Sequence, residues 1–204
     1  MKKTLITLIT LLTVSVAANA DSGIFGTSVV INNNGTTTLY ETTLLGDSRH
    51  TPTGPFSGTT TSGFNGENLG TYDTTTSDNL TLRGGGMLTY KNGGSNITGA
   101  HVYYKIDNGN YSSAIALGFN EDLGGGDQRW YSQTSSFNLL DGLSNGAHTV
   151  SVYFDATHDG GTHYENNGSA DFTANFTVVP EPNTYALIAG MFGLAYIALK
   201  RRQA

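Results

Sequence analysis

Between Asp21 and Val178, apolar residues alternate with polar ones in short runs, and clusters of Gly, Asn and Asp interrupt these runs about every eight to fifteen residues. A period of two buries one face of a strand and wets the other, and no segment of this body carries the 3.6-residue period of an amphipathic helix. The body is therefore expected to be all-β. His148 to Ala156 sets Val150, Val152 and Phe154 on one face, and Ala170 to Val178 does the same with Phe172, Ala174, Phe176 and Val178. In Ala100 to Asp107, Val102, Tyr104 and Ile106 oppose His101, Tyr103 and Lys105. Asp107-Asn108-Gly109 accepts the positive φ of a tight turn, so Asn110 to Leu117 is predicted to return as the partner strand. Asn32-Asn33-Asn34-Gly35 separates two further strands, Ser28 to Asn32 and Thr37 to Leu45. Asn79 to Arg83, Met87 to Lys91, Trp130 to Ser132 and Phe137 to Leu140 are shorter candidates. Residues 46 to 78, poor in aliphatics and rich in Gly, Thr, Ser and Pro, read as a long surface connection with at most short edge strands.

Charge and cysteine content narrow the function classes. Only 13% of the 204 residues are charged and 27 are Gly, which argues against coiled coils and long helices. From 21 to 180, five basic residues meet fifteen acidic ones, a net charge of −10 that repels phosphate backbones, so no nucleic-acid partner is expected. There is no Cys, hence no disulfide, and the fold must rest on its core, hydrogen bonds or a bound ion. No fixed-period repeat argues for a propeller or β-helix.

The two ends are different in kind. Lys2 and Lys3 precede an apolar run from Leu5 to Ala18, and Ala18-Asn19-Ala20 forms a small-x-small cleavage site, so residues 1 to 20 are predicted to be a secretory signal peptide. At the other end, Val179-Pro180-Glu181-Pro182 leads into Tyr185 to Leu199, which carries no charge, and then into Lys200-Arg201-Arg202. A transmembrane helix over about 184–199 is expected, of marginal length for a ~20-residue span, with the basic cluster on the cytoplasmic side.

Those three C-terminal parts, in that order, resemble the PEP-CTERM sorting signal of Gram-negative bacteria. The resemblance covers residues 179–204 and implies that an exosortase-like membrane enzyme recognises Val179, Pro180, Glu181 and Pro182. The helix would be the membrane hold and Lys200, Arg201 and Arg202 the stop. It further implies an exported protein, held in the inner membrane before processing and then released to the cell surface or extracellular matrix. Within the body, the run from Leu139 to Tyr153, with Tyr103-Tyr104 and Ile106-Asp107-Asn108-Gly109, resembles bacterial Ig-like and fibronectin-type modules. The implied fold for residues 21–178 is an antiparallel, disulfide-free, Ig-like β-sandwich.

Candidate chemistry in the body is sparse. Glu121, Asp122 and Asp127 gather on a Gly-rich loop whose flexible oxygen ligands suit Ca²⁺, although the EF-hand alternation is missing and a solvated charged turn is the simpler reading. No other cofactor is expected. His158 and His163 lack the i, i+4 spacing that holds two ligands on one helix face and read as exposed loop residues. Gly84-Gly85-Gly86 lacks a following Lys-Ser/Thr and is not a nucleotide loop. Trp130 and Tyr131, with Tyr103, Tyr111 and Tyr153, offer rings that stack on sugar faces where several share one exposed surface; Trp130 is equally suited to a core. With no nucleophile and base in evident reach, the expectation is a non-enzymatic structural or adhesive surface protein. The alternative is a secreted carbohydrate-binding module whose partner is an extracellular polysaccharide.

Overall fold

A computed structural model describes residues 21–42, 59–75, 78–92, 96–180 and 182–202. The expected signal peptide with Ala18 and Ala20, and Glu181 of the tail, lie outside them. Among the described residues, twelve strands and one α-helix follow in chain order, with a short 3-10 turn at Asn167–Ser169: β1 (Asp21–Asn33), β2 (Thr36–Glu41), β3 (Thr59–Ser62), β4 (Glu67–Asp73), β5 (Leu80–Asn92), β6 (Ile97–Ile106), β7 (Ile115–Gly124), β8 (Asp127–Ser132), β9 (Phe137–Asn138), β10 (Gly146–His158), β11 (Gly161–Glu165), β12 (Phe172–Val179) and α1 (Pro182–Arg202). Hydrogen bonding links them in the order β3-β2-β1-β5-β8-β7-β6-β10-β12-β4, with β11 on β10 and β9 on β5.

The sheet is mixed, which corrects the expectation of a purely antiparallel one. β3 runs parallel to β2, and β4 runs parallel to β12. Both parallel pairs come from the stretch read as a surface connection. The Phe64 amide bonds the Glu41 carbonyl at 2.9 Å and the Gly66 amide bonds the Thr173 carbonyl at 2.7 Å, so this segment passes from one edge of the sheet to the other. Phe64, Leu69 and Tyr72 are buried along it, few enough to be lost among Thr, Ser and Gly when the sequence is read alone.

β7 changes partners along its length. Ile115 to Leu117 pair with β6, whereas Gly118 to Gly124 pair with β8. The strand thereby joins an arm containing β1, β5 and β8 to an arm containing β6, β10 and β12. One buried cluster draws on both: Val29, Ile31, Leu80, Leu82 and Met87 from the first arm, Val102, Val150, Val152, Phe154, Phe172 and Phe176 from the second. Each such side chain contributes roughly 1.5–3 kcal/mol by leaving water, before the entropy of ordering it is subtracted.

Gly84-Gly85-Gly86 does not separate two strands, because β5 runs straight through it. A Cβ on Gly85 would lie 2.3 Å from the Ser28 carbonyl oxygen, and one on Gly84, at φ +125°, would lie 2.4 Å from the Ser132 oxygen. The glycines let β1 and β8 close on β5 from opposite sides.

The helix expected near the C-terminus is present. Its large apolar side chains from Leu187 to Leu199 are 46–72% exposed. Among the described residues no helix is long and apolar enough to cross a membrane. Tyr185 to Leu199 rises about 22 Å as a helix, against a hydrocarbon core of about 30 Å.

Candidate functional site

Strand alternation builds a polar, aromatic face opposite the core. On β10, Val150, Val152, Phe154 and Ala156 point inward, which turns Ser151, Tyr153 and Asp155 outward. The β6 register places Lys105 opposite Ser151, Tyr103 opposite Tyr153 and His101 opposite Asp155. β11 adds Tyr164 on the other flank, opposite Asp155. Tyr103 and Tyr153 stack with ring centroids 4.5 Å apart and planes at 2°. Tyr111, from the connection between β6 and β7, meets Tyr153 edge-on at 4.8 Å and 89°, and Tyr164 lies 6.5 Å from Tyr153. Cross-strand aromatic pairs of this kind stabilise the sheet and fix the ring planes.

Polar contacts lock the rings in place. The Tyr103 hydroxyl donates to Asp155 Oδ2 at 2.9 Å, and His101 Nδ1 lies 2.7 Å from Asp155 Oδ1. Lys105 Nζ donates to the Tyr111 hydroxyl at 2.9 Å, pairs with Asp171 Oδ2 at 3.0 Å and sits 4.3 Å from the Tyr111 ring centroid. The Tyr111 hydroxyl in turn donates to Asp171. Burial, with Asp155 beside it, pushes the Tyr103 hydroxyl far above the ordinary phenol value. Burial and Asp171 also raise Tyr111, against an opposing pull from Lys105. Hydrogen bonds to Tyr111 and Asp171 raise Lys105. These phenols therefore stay protonated and the amine stays charged at neutral pH.

A cleft of about 390 Å³ opens here, lined by Lys105, Tyr111, Tyr153, Tyr164, Asn166, Ser169 and Asp171. Its far wall is the turn between β11 and β12, where Asn167, Gly168, Ser169 and Asp171 all adopt positive φ. Asn166 holds that turn: its side-chain oxygen accepts from the Ser169 amide at 3.0 Å, and its carbonyl accepts from the Ala170 and Asp171 amides at 3.1 and 2.9 Å. Three non-glycine residues in left-handed backbone carry a strain that the surrounding hydrogen bonds sustain.

The ring set read from the sequence divides in two. Tyr103, Tyr111 and Tyr153 share the face, but Trp130 and Tyr131 are 6% and 8% exposed, which corrects their reading as glycan-stacking residues. The Trp130 indole donates to Thr89 Oγ1 at 3.1 Å and packs edge-on against Phe119, while Tyr131 clusters with Val30 and Leu39. Both are part of the packing of β8. Tyr164, Asn166 and Asp171 were not singled out from the sequence; the alternation in Gly161–Glu165 was the only available signal for Tyr164.

The acidic candidates are otherwise engaged. Glu121 pairs with Arg129 across the β7–β8 hairpin, and Asp122 Oδ1 accepts from the Gly124 amide at 2.8 Å. Among the described residues no group of three His, Cys, Asp or Glu could hold a metal ion, so Glu121, Asp122 and Asp127 gain no support as a calcium set. His158 and His163 do come together, stacked at 4.5 Å at the end of the β10–β11 hairpin, with His163 Nε2 2.9 Å from Ser22 Oγ. In the tail, Val179 ends β12, Pro180 follows it, Pro182 opens α1, and Lys200, Arg201 and Arg202 form the last helical turn, where their charge suits the helix dipole. Compared with known proteins, the chain matches no family model, no curated protein and no solved structure.

Proposed function

We propose that this is an exported, non-catalytic protein of a Gram-negative cell surface or extracellular matrix, structural or adhesive in role and sorted through its PEP-CTERM-like tail. The two arms around the shared core would be the layers of an Ig-like sandwich. The observation that carries the reading is α1. Eight large apolar side chains, Leu187, Ile188, Met191, Phe192, Leu194, Tyr196, Ile197 and Leu199, are exposed on a helix that begins two residues after Pro180 and ends in three cations. Such a helix lowers its free energy by entering lipid, where its short apolar length is met by local bilayer thinning and by outward-reaching Lys and Arg. An exosortase-like enzyme would then act at Pro180-Glu181-Pro182.

Intact-mass measurement of the protein from the native host tests this. The expected mature species lacks residues 1–20 and also lacks Tyr185 to Leu199. A surface species that keeps that apolar segment argues against processing, and one that keeps Met1 argues against export. A second reading, the secreted carbohydrate-binding module, is favoured by the tyrosine face, with Tyr153 and Tyr164 in the place first given to Trp130 and Tyr131.

A further inference from the structure

We infer that the cleft between Tyr153, Tyr164 and the Asn166–Asp171 turn binds an uncharged hexopyranose unit of an extracellular polysaccharide. The inference deepens the adhesive and carbohydrate-binding reading of the same face, and it stands apart from the processing of the tail.

The first ground is ring access. Tyr103 and Tyr111 already pack on Tyr153, whereas Tyr164 is 62% exposed and borders the cleft. An exposed phenol ring beside a concave polar surface offers the C–H face of a pyranose its preferred partner, and stacking there removes apolar area from water on both sides. The second ground is the pair formed by Lys105 and Asp171. One ammonium and one carboxylate, 3.0 Å apart and mostly shielded at their side chains, present donor and acceptor side by side. Two vicinal hydroxyls satisfy both, one accepting from Lys105 and the other donating to Asp171.

That pairing also decides the class of ligand. Lys105 and Asp171 cancel, so the cleft supplies no unpaired cation to an anionic sugar, and the body around it is strongly acidic. Uronate and sulfated polymers are disfavoured by charge. A proline-rich peptide also suits tyrosine grooves, but its proline positions carry no N–H to donate to Asp171. The third ground is rigidity. Asn166 braces the wall through one side-chain and two main-chain hydrogen bonds, and Ser169 and Asp171 sit at φ 77° and 59°. A wall held in left-handed backbone meets its ligand already shaped, which lowers the entropic cost of binding.

The test is calorimetric titration of the full chain, held in a detergent without a sugar headgroup, with cellohexaose, laminarihexaose, mannohexaose, oligogalacturonate and a proline-rich peptide. At least one neutral hexose oligomer is expected to bind. Tyr164→Ala, at an exposed position, should weaken that binding about five- to tenfold with the far-UV spectrum unchanged, since one aromatic contact is at stake. Asp171→Asn should also weaken it, and Leu123→Ser, exposed on the β7–β8 hairpin away from the cleft, should not. The inference is overturned if none of the three neutral oligomers binds. It is equally overturned if oligogalacturonate or a proline-rich peptide is the only ligand, or if binding survives Tyr164→Ala and Asp171→Asn unchanged. Failure here leaves the masses of the exported species untouched, so the two readings fail separately.

Discussion

Replacing Trp130 with Phe separates the core from the ligand cleft. The chain has a single Trp. Trp130 is buried on β8, its indole N–H reaches Thr89 Oγ1 at 3.1 Å, and Thr89 is itself fully buried. Phe keeps a ring there but removes three heavy atoms, two of them carbon, which are worth about 1–2 kcal/mol of burial at ~0.8 kcal/mol per methylene-sized group. It also leaves the Thr89 hydroxyl without its donor in a dry site, a further cost of about 1–2 kcal/mol. Together Trp130→Phe should destabilise the body by about 2–4 kcal/mol, which at a urea m-value of about 2 kcal/mol/M lowers the unfolding midpoint by roughly 1–2 M. Far-UV circular dichroism reads both proteins on one scale. In the parent, Trp130 emission should be blue-shifted, resist iodide quenching and move red on unfolding. A loss below about 0.5 kcal/mol, together with water-like emission in the native parent, would refute the burial argument. Ligand titration of the folded variant should match the parent, because β8 lies in the other arm from the cleft.

Two further perturbations test the frame. Gly85→Ala would put a Cβ 2.3 Å from the Ser28 carbonyl, a backbone atom that moves only if β1 and β5 part, so a loss of about 2–4 kcal/mol is expected in the same urea titration. A neutral result would mean that the two strands are not so closely paired. His148 carries a pH dependence. Hydrogen bonds to Asp107 and to the Ser144 carbonyl raise its pKa, so its stabilisation is full below about pH 6.5 and fades as pH rises through the raised value. Burial pushes Asp107 up, but His148 and the Thr149 amide outweigh this and lower it, so its contribution is complete above about pH 4 and fades as pH falls through the lowered value. The parent should therefore exceed His148→Gln in melting temperature most clearly near pH 5.5, with the gap narrowing by pH 8.5. A gap that does not change with pH removes the ion pair from the account.

How much of this was legible in the sequence depends on what period-two patterning reports. On β6 and β10, with one face in the core and one in water, the alternation assigned Val102 and Val152 inward and Tyr103 outward, as found. On β8 it could not, because Trp130 faces the central cluster while its neighbour Tyr131 packs with Val30 and Leu39 on the opposite side. A strand covered on both faces has no parity to read. β3 and β4 do lie at the two edges, as a connection with at most short edge strands allows, but their parallel partners were illegible for another reason. Parallel pairing joins strands far apart in the chain, here Thr38 with Thr59 and Thr177 with Thr71, and no local turn announces it. The cleft was half legible: three of its neighbouring tyrosines were named, but Asp171 and Asn166 enter through a turn whose left-handed residues carry no glycine-rich signature beyond Gly168.

The placement of the cleft relative to the tail connects the two proposals. Asp171 immediately precedes β12, and Val179 at its other end leads through Pro180 to α1. At about 3.3 Å per residue, the eight steps from Asp171 to Val179 span roughly 26 Å. β12 is not free to fold back over that distance, because it is hydrogen-bonded to β10 on one side and β4 on the other. The wall of the cleft and the start of the tail are therefore fixed at opposite ends of one strand that is paired on both sides. The proposed release of the tail beyond Val179 would accordingly leave Asp171 and the cleft in place at the far end of β12, so the processed species should bind a neutral hexose oligomer as the full chain does.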